Sequence, residues 1–364
     1  MDLARSLAER GRYTVAPNPL VGAVVARDGT VISEGWHARA GTDHAEVAAL
    51  KGAGERARGA TMYVTMEPCN HHGRTPPCTD AVLRAGISRV VMGHLDPDPR
   101  MRGRSAEMLR RAGVEVVLLD DPAFERQNEQ FSHHMRTGRP FVHLKLAATL
   151  DGRIAAAGGD SRWVTGEAAR LRAHQLRAEA GAVLVGAGTV RADDPQLTAR
   201  DLPEEPPPIT RVVLDPRLTI GAESRLVKTA AEGPVLIFAD AEVLDARELE
   251  APGVEVVGAP SSPVGLDLRF VLDELGRRGI RGVLVEGGGE TAARFVEANL
   301  ADKLTLFYAP KFVGSGGVPM IGALRVTKMS AALEFSVSDV EKVGEDIAVT
   351  LYPTSEEDRV HRAG

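Results

Sequence analysis

Residues 67–78 read EPCNHHGRTPPC, and residues 43–46 upstream of them read DHAE. Together the two segments supply two thiols, an imidazole and a carboxylate two residues away from that imidazole. Cys69 and Cys78 are the only cysteines among the 364 residues, and both lie in one loop rich in proline. We therefore interpret His44, Cys69 and Cys78 as ligands of a zinc ion, and Glu46 as a nearby carboxylate that is not a ligand.

This set of residues suits one kind of chemistry. Two thiolates and one imidazole leave the fourth position of a tetrahedral zinc ion open, and water bound there has its pKa lowered to about 7. Replacing an amino group on an electron-poor ring also requires a group that moves protons to the ring and to the departing amine, a role that Glu46 suits. The pattern is typical of hydrolytic base deaminases, although eight residues, not two, separate the cysteines.

The local sequence predicts how these side chains are presented. We expect Asp43 or Thr42 to cap a helix, so that His44 and Glu46 lie in its first turn, where the helix dipole favours a carboxylate. We expect a second helix, which carries Cys78, to start after the two prolines at positions 76 and 77.

Two other interpretations of the same residues remain open. A pair of cysteines is by itself typical of buried, inert thiols. A structural zinc site would fill its fourth position with another histidine, and the candidates are His37, His71 and His72.

The composition restricts the class of protein. A chain of 364 residues with 43% apolar content is long enough for two domains with separate cores. A net charge of −6 and an aromatic content of 4% argue against a nucleic-acid binder. The start of the chain lacks a signal peptide's apolar stretch, and no run approaches the roughly 18 apolar residues of a membrane span. We expect a cytoplasmic protein with a small-molecule substrate and with neither nucleic acid nor membrane as a partner.

Strands and helices alternate along the chain, which predicts α/β domains. In the first half, a strand over Thr61–Thr65 leads into the cysteine loop, and Pro122–Met135 is predicted as one helix. The sequence Thr-Gly-Arg-Pro at 137–140 breaks this helix. We place the boundary there, between domains 1–138 and 139–364.

The second half has two glycine-rich segments that each follow a predicted strand. One is the loop Gly186-Ala187-Gly188-Thr189, and the other is Gly287-Gly288-Gly289, which precedes a helix. Backbone amides at such a helix start can bind phosphate. Neither segment fits the dinucleotide fingerprint or the P-loop, so a purely structural role stays open for both.

Taken in order, the motifs resemble one known family, the bifunctional deaminase/reductase of riboflavin biosynthesis. The first half resembles its deaminase part, long cysteine spacing included, through Asn18-Pro19-Leu20-Val21-Gly22, His44-Ala45-Glu46, Glu67-Pro68-Cys69 and the segment HHGRTPPC at 71–78. The second half resembles its reductase part through Leu144-Lys145-Leu146, Leu150-Asp151-Gly152-Arg153, Ser161-Arg162-Trp163, Arg191-Ala192-Asp193-Asp194-Pro195 and Val285-Glu286-Gly287-Gly288. The resemblance extends from Asn18 to about Leu351.

The resemblance implies two successive reactions on one polypeptide. An N-terminal domain with the three-layer α/β/α fold of cytidine deaminases would hydrolyse the 2-amino group of 2,5-diamino-6-(5-phosphoribosylamino)pyrimidin-4-one, with zinc as cofactor. A C-terminal α/β domain with a dihydrofolate-reductase-like fold would then reduce the ribosyl side chain to ribityl with NADPH. The resemblance also implies a homo-oligomer, either a dimer or a tetramer.

The resemblance further implies site residues. In the deaminase half these are the zinc ligands and Glu46 named above, together with the substrate contacts Asn18, His71 and Arg74. In the reductase half the residues beside the cofactor are Ala147, Trp163, Thr189, Asp193, Gly288, Gly289, Glu290, Thr291, Ala292, Ala293 and Arg294. Those beside the substrate are Ser161, Arg177, Leu197, Arg200 and Glu286.

Some assignments in the reductase half keep alternatives. Lys145 and Glu286 are both candidates for the proton donor to the opened ribose, although Lys145 could instead only neutralise a carboxylate. Trp163 could equally be an ordinary packing residue. Pro216 stands where some relatives have a serine at the cofactor, and Arg217 is a candidate for the 2′-phosphate of NADPH.

Two functions of other classes are weighed against this one. The first is a nucleic-acid editing deaminase fused to an unrelated domain, which would need a basic groove. The second is a non-catalytic module that binds zinc and a nucleotide, for which the carboxylate Glu46 beside an open zinc position has no use.

Overall fold

The computed structural model describes residues 1–71, 76–243 and 251–354. The chain divides into two compact units, Met1–Arg139 and Pro140–Gly364, and each is described by itself. The described helices include none that is both long and apolar enough to span a membrane.

The first unit is built on a five-stranded sheet in the order β2-β1-β3-β4-β5. Its strands are Gly22–Arg27 (β1), Thr30–Trp36 (β2), Thr61–Met66 (β3), Arg89–His94 (β4) and Glu115–Leu118 (β5). Its helices are Asp2–Ala8 (α1), Ala45–Ala53 (α2), Cys78–Arg84 (α3), Arg104–Arg111 (α4), Pro122–Gln127 (α5) and Glu129–Thr137 (α6). Strand β1 runs antiparallel to β2 and β3, whereas β3, β4 and β5 are parallel.

Alternating side chains of β1 separate two layers of helices. Ala23 and Val25 pack in the core that also contains residues of α2, α3 and α4. Val24 points to the other face, where it packs with Ala4 and Leu7 of α1. The predicted three-layer α/β/α arrangement is confirmed.

A glycine on β2 lets α2 approach the sheet closely. An ideal Cβ built on Gly35 would lie 2.4 Å from the carbonyl oxygen of Ala45 and 2.5 Å from the amide nitrogen of Ala49. These distances are too short for any side chain, so α2, which begins beside His44, is held directly against the strand.

The prediction of a single helix over Pro122–Met135 is wrong. The structure has two helices that meet at Asn128, whose backbone leaves the helical region. The side chain of Asn128 accepts a hydrogen bond from the Leu20 amide at 2.7 Å and donates one to the Leu20 carbonyl at 2.9 Å. This tertiary contact provides hydrogen-bond partners for the backbone of Leu20, in the loop before β1, and it interrupts the helix at Asn128.

The second unit contains a nine-stranded sheet in the order β11-β10-β9-β8-β14-β6-β15-β18-β17. Its strands are Phe141–Thr149 (β6), Ala182–Gly186 (β8), Thr210–Leu214 (β9), Val235–Asp240 (β10), Val254–Ala259 (β11), Gly282–Val285 (β14), Lys303–Ala309 (β15), Phe335–Val343 (β17) and Asp346–Pro353 (β18). Two small ribbons pair Arg153–Ala155 (β7) with Val318–Pro319 (β16), and Ser261–Ser262 (β12) with Gly265–Leu266 (β13). The helices are Glu167–Ala180 (α7), Ala187–Asp193 (α8), Arg225–Lys228 (α9), Leu268–Arg277 (α10) and Gly289–Glu297 (α11).

The large sheet is parallel from β11 to β15, and β18 then runs antiparallel to both β15 and β17. In its centre, β6 lies between β14 and β15, with Val285 opposite Leu144 and Thr305 opposite Lys145. Glu286 follows β14 directly, so this register brings it beside Lys145 at the carboxyl end of β14. Ligands bind at that edge in open parallel α/β sheets.

Candidate active sites

Three segments of the first unit bring two sulfurs and one imidazole together. His44 precedes α2, Cys69 follows β3, and Cys78 is the first residue of α3. The His44 Nδ1 atom lies 3.2 Å from the Cys78 sulfur and 3.5 Å from the Cys69 sulfur, and the three potential ligand atoms lie within 4.8 Å of one another. Atoms bound tetrahedrally at zinc distances are separated by roughly 3.5 Å, so this donor set fits a zinc ion.

Hydrogen bonds between α3 and the cysteine loop fix the second thiol relative to the first. The Cys78 amide donates to the Cys69 sulfur at 3.4 Å, and the Thr79 amide donates to the Cys69 carbonyl at 3.2 Å. Hydrogen bonding from the Cys78 thiol lowers the pKa of Cys69, and the pKa of Cys78 is raised in turn. The pairing therefore favours the thiolate form of Cys69, the form that binds metal.

The predicted cap of α2 is wrong. His44 itself occupies the N-cap position in an extended conformation, and it makes no side-chain cap hydrogen bond. The Asp43 carboxylate instead pairs with Lys51 at 2.5 Å. The turn thus presents the imidazole of His44 to the cysteines and leaves Glu46 in the first helical turn, as expected.

Glu46 is buried in the first turn of α2, with an exposure of 3%. Burial, followed by the charge of Cys69, raises the pKa of Glu46 to about 7. A carboxylate with such a pKa can both take up and release a proton at neutral pH, which a proton shuttle requires.

The expected substrate residues of this half differ in their surroundings. The Asn18 side-chain amide donates to the Nε2 atom of His37 at 2.9 Å, and the Nδ1 atom of His37 lies 3.0 Å from the Asp43 carbonyl oxygen. The His37 and His44 rings contact edge to face at 5.1 Å. Asn18 therefore lies one side chain away from a ligand.

His71 is exposed. Arg74 lies outside the described residues, as does His72. The alternative that His37 completes a structural zinc site does not fit, because both of its ring nitrogens already have partners.

In the second unit, the central feature is a buried ion pair. The Arg177 guanidinium donates to both oxygens of Glu286, at 2.6 and 2.9 Å, and its remaining terminal nitrogen donates to the Thr198 carbonyl at 3.0 Å. Burial alone would raise the pKa of Glu286, but the charge and hydrogen bonds of Arg177 outweigh it and lower that pKa to about 2. Glu286 is therefore ionised at neutral pH.

Lys145 projects from β6 toward the ion pair of Arg177 and Glu286. Its ammonium nitrogen lies 5.7 Å from the centre of the Phe307 ring. Burial lowers the pKa of Lys145, while the charge of Glu286 opposes this shift. The ionised Glu286 has no proton to donate at neutral pH, so Lys145, whose pKa is lowered by burial, remains the candidate donor.

The segment that follows α8 lies against α7 beside this ion pair. Both Arg177 and the Nδ1 atom of His174 contact the Thr198 carbonyl oxygen, the latter at 3.1 Å. Leu197 is buried and has a positive φ of 56°, and Arg200 is exposed. Arg177 and Arg200 therefore both contact Thr198, which follows Leu197, and Arg177 is also paired with Glu286.

The starts of α8 and α11 adjoin each other. The Gly288 amide donates to the Thr189 hydroxyl at 3.2 Å. A Cβ on Gly287, which has a φ of 109°, would lie 2.5 Å from the same hydroxyl. The loop predicted over Gly186–Thr189 is wrong after its first residue, because Ala187 starts α8 and packs in the core with Val190.

Residues of α11 point in different directions. Glu290 is exposed, Thr291 faces Gly186, and Ala292 and Ala293 are buried. Arg294 donates to the Leu266 carbonyl of β13 at 2.6 Å. The Gly288 amide at the start of α11 therefore lies just beyond the carboxyl end of β14, whereas the side chains of Ala292, Ala293 and Arg294 contact other parts of the unit.

Trp163 stands on an exposed loop after β7. The indole is 65% exposed, so it is not a packing residue, and the Arg170 guanidinium lies over it at 4.5 Å. The Lys311 ammonium donates to the Trp163 carbonyl at 2.7 Å, and Arg162 donates to the Asp193 carbonyl at 3.3 Å. The loop is thus tied to the segment that contains Asp193. The other expected residues, Ala147 and Ser161, are partly buried.

Comparisons with known proteins decide the family. The family model described as "RibD C-terminal domain" matches residues 140–349, and the "Cytidine and deoxycytidylate deaminase zinc-binding region" matches residues 1–94. The chain is 43% identical to the "Riboflavin biosynthesis protein RibD" of Aquifex aeolicus, with 96% of each chain covered. The chain belongs to the RibD family. RibD of Escherichia coli is 40% identical over 96% of this chain and 98% of its own.

Solved structures agree with this assignment. RibD of Acinetobacter baumannii superposes with a TM-score of 0.88 at 37% identity, covering 97% of this chain and 98% of its own. The Thermotoga maritima deaminase/reductase superposes with a TM-score of 0.85 at 38% identity, covering 97% of both chains. The expected fold classes and the expected resemblance are confirmed.

Membership of the RibD family establishes the function. The protein carries out deamination and then reduction in riboflavin biosynthesis, on a small-molecule phosphoribosylaminopyrimidine, with zinc and NADPH as cofactors. The editing deaminase and the non-catalytic module are thereby excluded. Sequence reasoning assigned no role to Glu67, Thr198 or His174, because their contacts join segments that are distant along the chain.

The ion pair in the reductase unit of this RibD protein predicts a pH dependence of stability. Because the pKa of Glu286 falls from 4.5 to about 2 on folding, the pair's contribution is complete above pH 4.5 and is lost as pH falls toward 2. Between those values, the free energy of unfolding should fall by about 3 kcal/mol more in the wild type than in Glu286→Gln. Urea unfolding followed by circular dichroism at each pH measures this difference.

The exposed control Glu341→Gln should retain the pH profile of the wild type. Parallel profiles for the wild type and Glu286→Gln would contradict the depressed pKa.

Proposed function

We propose that the unit Met1–Arg139 performs the deamination and the unit Pro140–Gly364 performs the reduction. In the first unit His44, Cys69 and Cys78 hold the zinc ion, and Glu46 transfers protons. The observation that carries this proposal is the convergence of the three donor atoms within 4.8 Å beside a buried carboxylate whose pKa is about 7.

The deamination follows from the chemistry of these residues. Zinc, when bound, supplies a nucleophilic oxygen at neutral pH. Glu46 accepts one proton of the attacking water and delivers it to a ring nitrogen. As the bond from the carbon to the amine breaks, Glu46 passes the remaining hydroxyl proton to the amine, which leaves as ammonia. Asn18, His71 and Arg74 bind the substrate, with Asn18 oriented by its hydrogen bond to His37.

In the reductase unit, we assign the proton transfer to Lys145. NADPH would supply the hydride to C1′ of the ribose, the bond from C1′ to the ring oxygen would break, and the alkoxide so formed would take its proton from the Lys145 ammonium. Glu286, held ionised by Arg177, places a negative charge beside that ammonium. Ser161, Leu197 and Arg200 complete the substrate site, and the phosphate is bound by Arg200, because Arg177 is already paired.

The cofactor site of the proposal lies at the carboxyl edge of the large sheet. Its members are Ala147, Trp163, Thr189, Asp193, Gly288, Gly289, Glu290, Thr291, Ala292, Ala293 and Arg294. The hydrogen bond between Gly288 and Thr189 supports it, because it joins two helix starts at that edge. Ala292, Ala293 and Arg294 contribute through the helix backbone, since their side chains point elsewhere.

The substitution Glu46→Gln tests the deaminase assignment. The amide keeps the shape of the side chain but cannot accept a proton, so the deaminase kcat should fall by about 10²–10⁴-fold. Reduction of supplied deaminated substrate should be unchanged. The assay measures ammonia release and NADPH absorbance separately on the full chain.

The exposed control Glu34→Gln should leave both activities intact. Removal of zinc by a chelator should stop ammonia release alone. Loss of both activities together in Glu46→Gln would show that the two units are not functionally separate.

The substitution Lys145→Met tests the proton donor. Without the ammonium group, turnover should fall by about 10²-fold or more, because the alkoxide has no acid beside it. NADPH affinity, measured by fluorescence titration, should stay within about twofold of the wild type. The exposed control Lys328→Met should turn over normally. Normal turnover in Lys145→Met would remove this residue from the mechanism.

We further propose that the protein is a cytoplasmic homo-oligomer, either a dimer or a tetramer. Strand β17 is an edge of the large sheet. Apolar side chains are exposed there: Val337 and Val340 on β17 are 62% and 59% exposed, and Ile347 on β18 is 42% exposed. The need for free thiols at Cys69 and Cys78 suits a reducing compartment.

Light scattering after size exclusion tests the oligomer. The wild type should have the mass of a dimer or tetramer at micromolar concentration. Replacing Val337 and Val340 by aspartate should lower that mass, because like charges would face each other across the interface. A monomeric wild type would contradict the proposal.

A further inference from the structure

The carboxylate of Glu67 is buried just before the cysteine loop, with an exposure of 4%. Each of its oxygens accepts two backbone hydrogen bonds. One oxygen accepts from the amides of Asp96 and Gly103 at 3.0 and 2.8 Å, and the other from those of Ser105 and Ala106 at 2.9 and 3.1 Å. Glu67 thus holds together two parts of the segment between β4 and α4.

These amides need an acceptor that their own segment does not provide. Gly103 is the N-cap residue of α4 and has no side chain, so the amides of the first turn lack a local cap. A carboxylate at this point satisfies them and interacts favourably with the helix dipole. The Glu67 amide also donates to the His94 carbonyl at 2.9 Å, which ties the same residue to the end of β4.

The position of Glu67 determines where the chain enters the metal loop. Only Pro68, whose φ is fixed by its ring, separates it from Cys69. The Cys69 sulfur has to lie within bonding geometry of an ion that His44 and Cys78 also bind, and errors of about 0.5 Å matter in such a site. A residue held by five backbone hydrogen bonds therefore precedes the ligand by two positions.

We propose that Glu67 is a positioning residue of the deaminase site. Its carboxylate fixes the chain between β3 and Cys69, and thereby sets the place of the Cys69 sulfur relative to His44 and Cys78. This inference rests on the proposed role of those three residues as zinc ligands. The competing explanation is that Glu67 only caps α4 and contributes to stability without affecting the metal.

Glu67→Gln in the full-length protein distinguishes the two explanations. The amide nitrogen of glutamine would face two backbone N–H groups, so two of the four hydrogen bonds are lost at constant side-chain size. Zinc affinity, measured by competition with a chelator at 25 °C, should fall by about 10–100-fold. The visible absorption bands of the cobalt(II)-loaded protein should shift, and the deaminase kcat should fall while the reductase kcat does not change.

The matched control is Glu107→Gln, which changes an exposed carboxylate on α4, the helix whose first amides Glu67 binds. It should keep the zinc affinity and the cobalt spectrum of the wild type. If Glu67→Gln does not fold, Glu67→Asp takes its place, since the shorter side chain keeps the charge but cannot reach all four amides.

A folded Glu67 variant with wild-type zinc affinity and cobalt spectrum would overturn the inference, whatever its thermal stability, because Glu67 would then only cap α4. A wild-type protein that binds neither zinc nor cobalt would instead overturn the ligand assignment itself.

Discussion

The deaminase site depends on one geometric constraint, which is that donor atoms from three separate segments must meet within 4.8 Å. No ligand is placed by its own segment alone. Gly35 lets α2 lie against the sheet so that His44 reaches the site, and the start of α3 at Cys78 follows two prolines. In the third segment, Glu67 fixes the position of the chain just before Cys69. The positions of α2, β3 and α3 in the first unit therefore bring the three donor atoms together.

The candidate site of the second unit depends on a cluster of buried charges. A carboxylate and two cations are buried together: the register of β14 against β6 places Glu286 beside Lys145, and Arg177 of α7 pairs with Glu286. Because Arg177 donates to both oxygens of Glu286, that carboxylate is held ionised, and we assign the proton transfer to Lys145, whose pKa is lowered by burial.

The sequence allowed the ligand set and the fold class to be predicted, because those features depend on residue types at short spacings. The His-x-Glu tripeptide and the prolines before Cys78 act locally. What could not be predicted involves distant partners. Asn128 breaks a helix by binding Leu20, 108 positions away.

The same limit applied to the sites. Glu67 caps amides that lie 29 to 39 positions further on. The choice between Lys145 and Glu286 required Arg177, which is 109 positions from Glu286. The expected cap of α2 failed because His44 takes the cap position itself, while Asp43 pairs with Lys51.

The central claim is that the first unit holds a catalytic zinc ion with an open position. X-ray absorption at the zinc edge of the purified protein tests this claim most directly. The account predicts one zinc per chain, with two sulfurs at about 2.3 Å and the outer-shell scattering of a single imidazole. Scattering from two imidazoles would indicate a closed structural site, and that result, or the absence of zinc, would contradict the account.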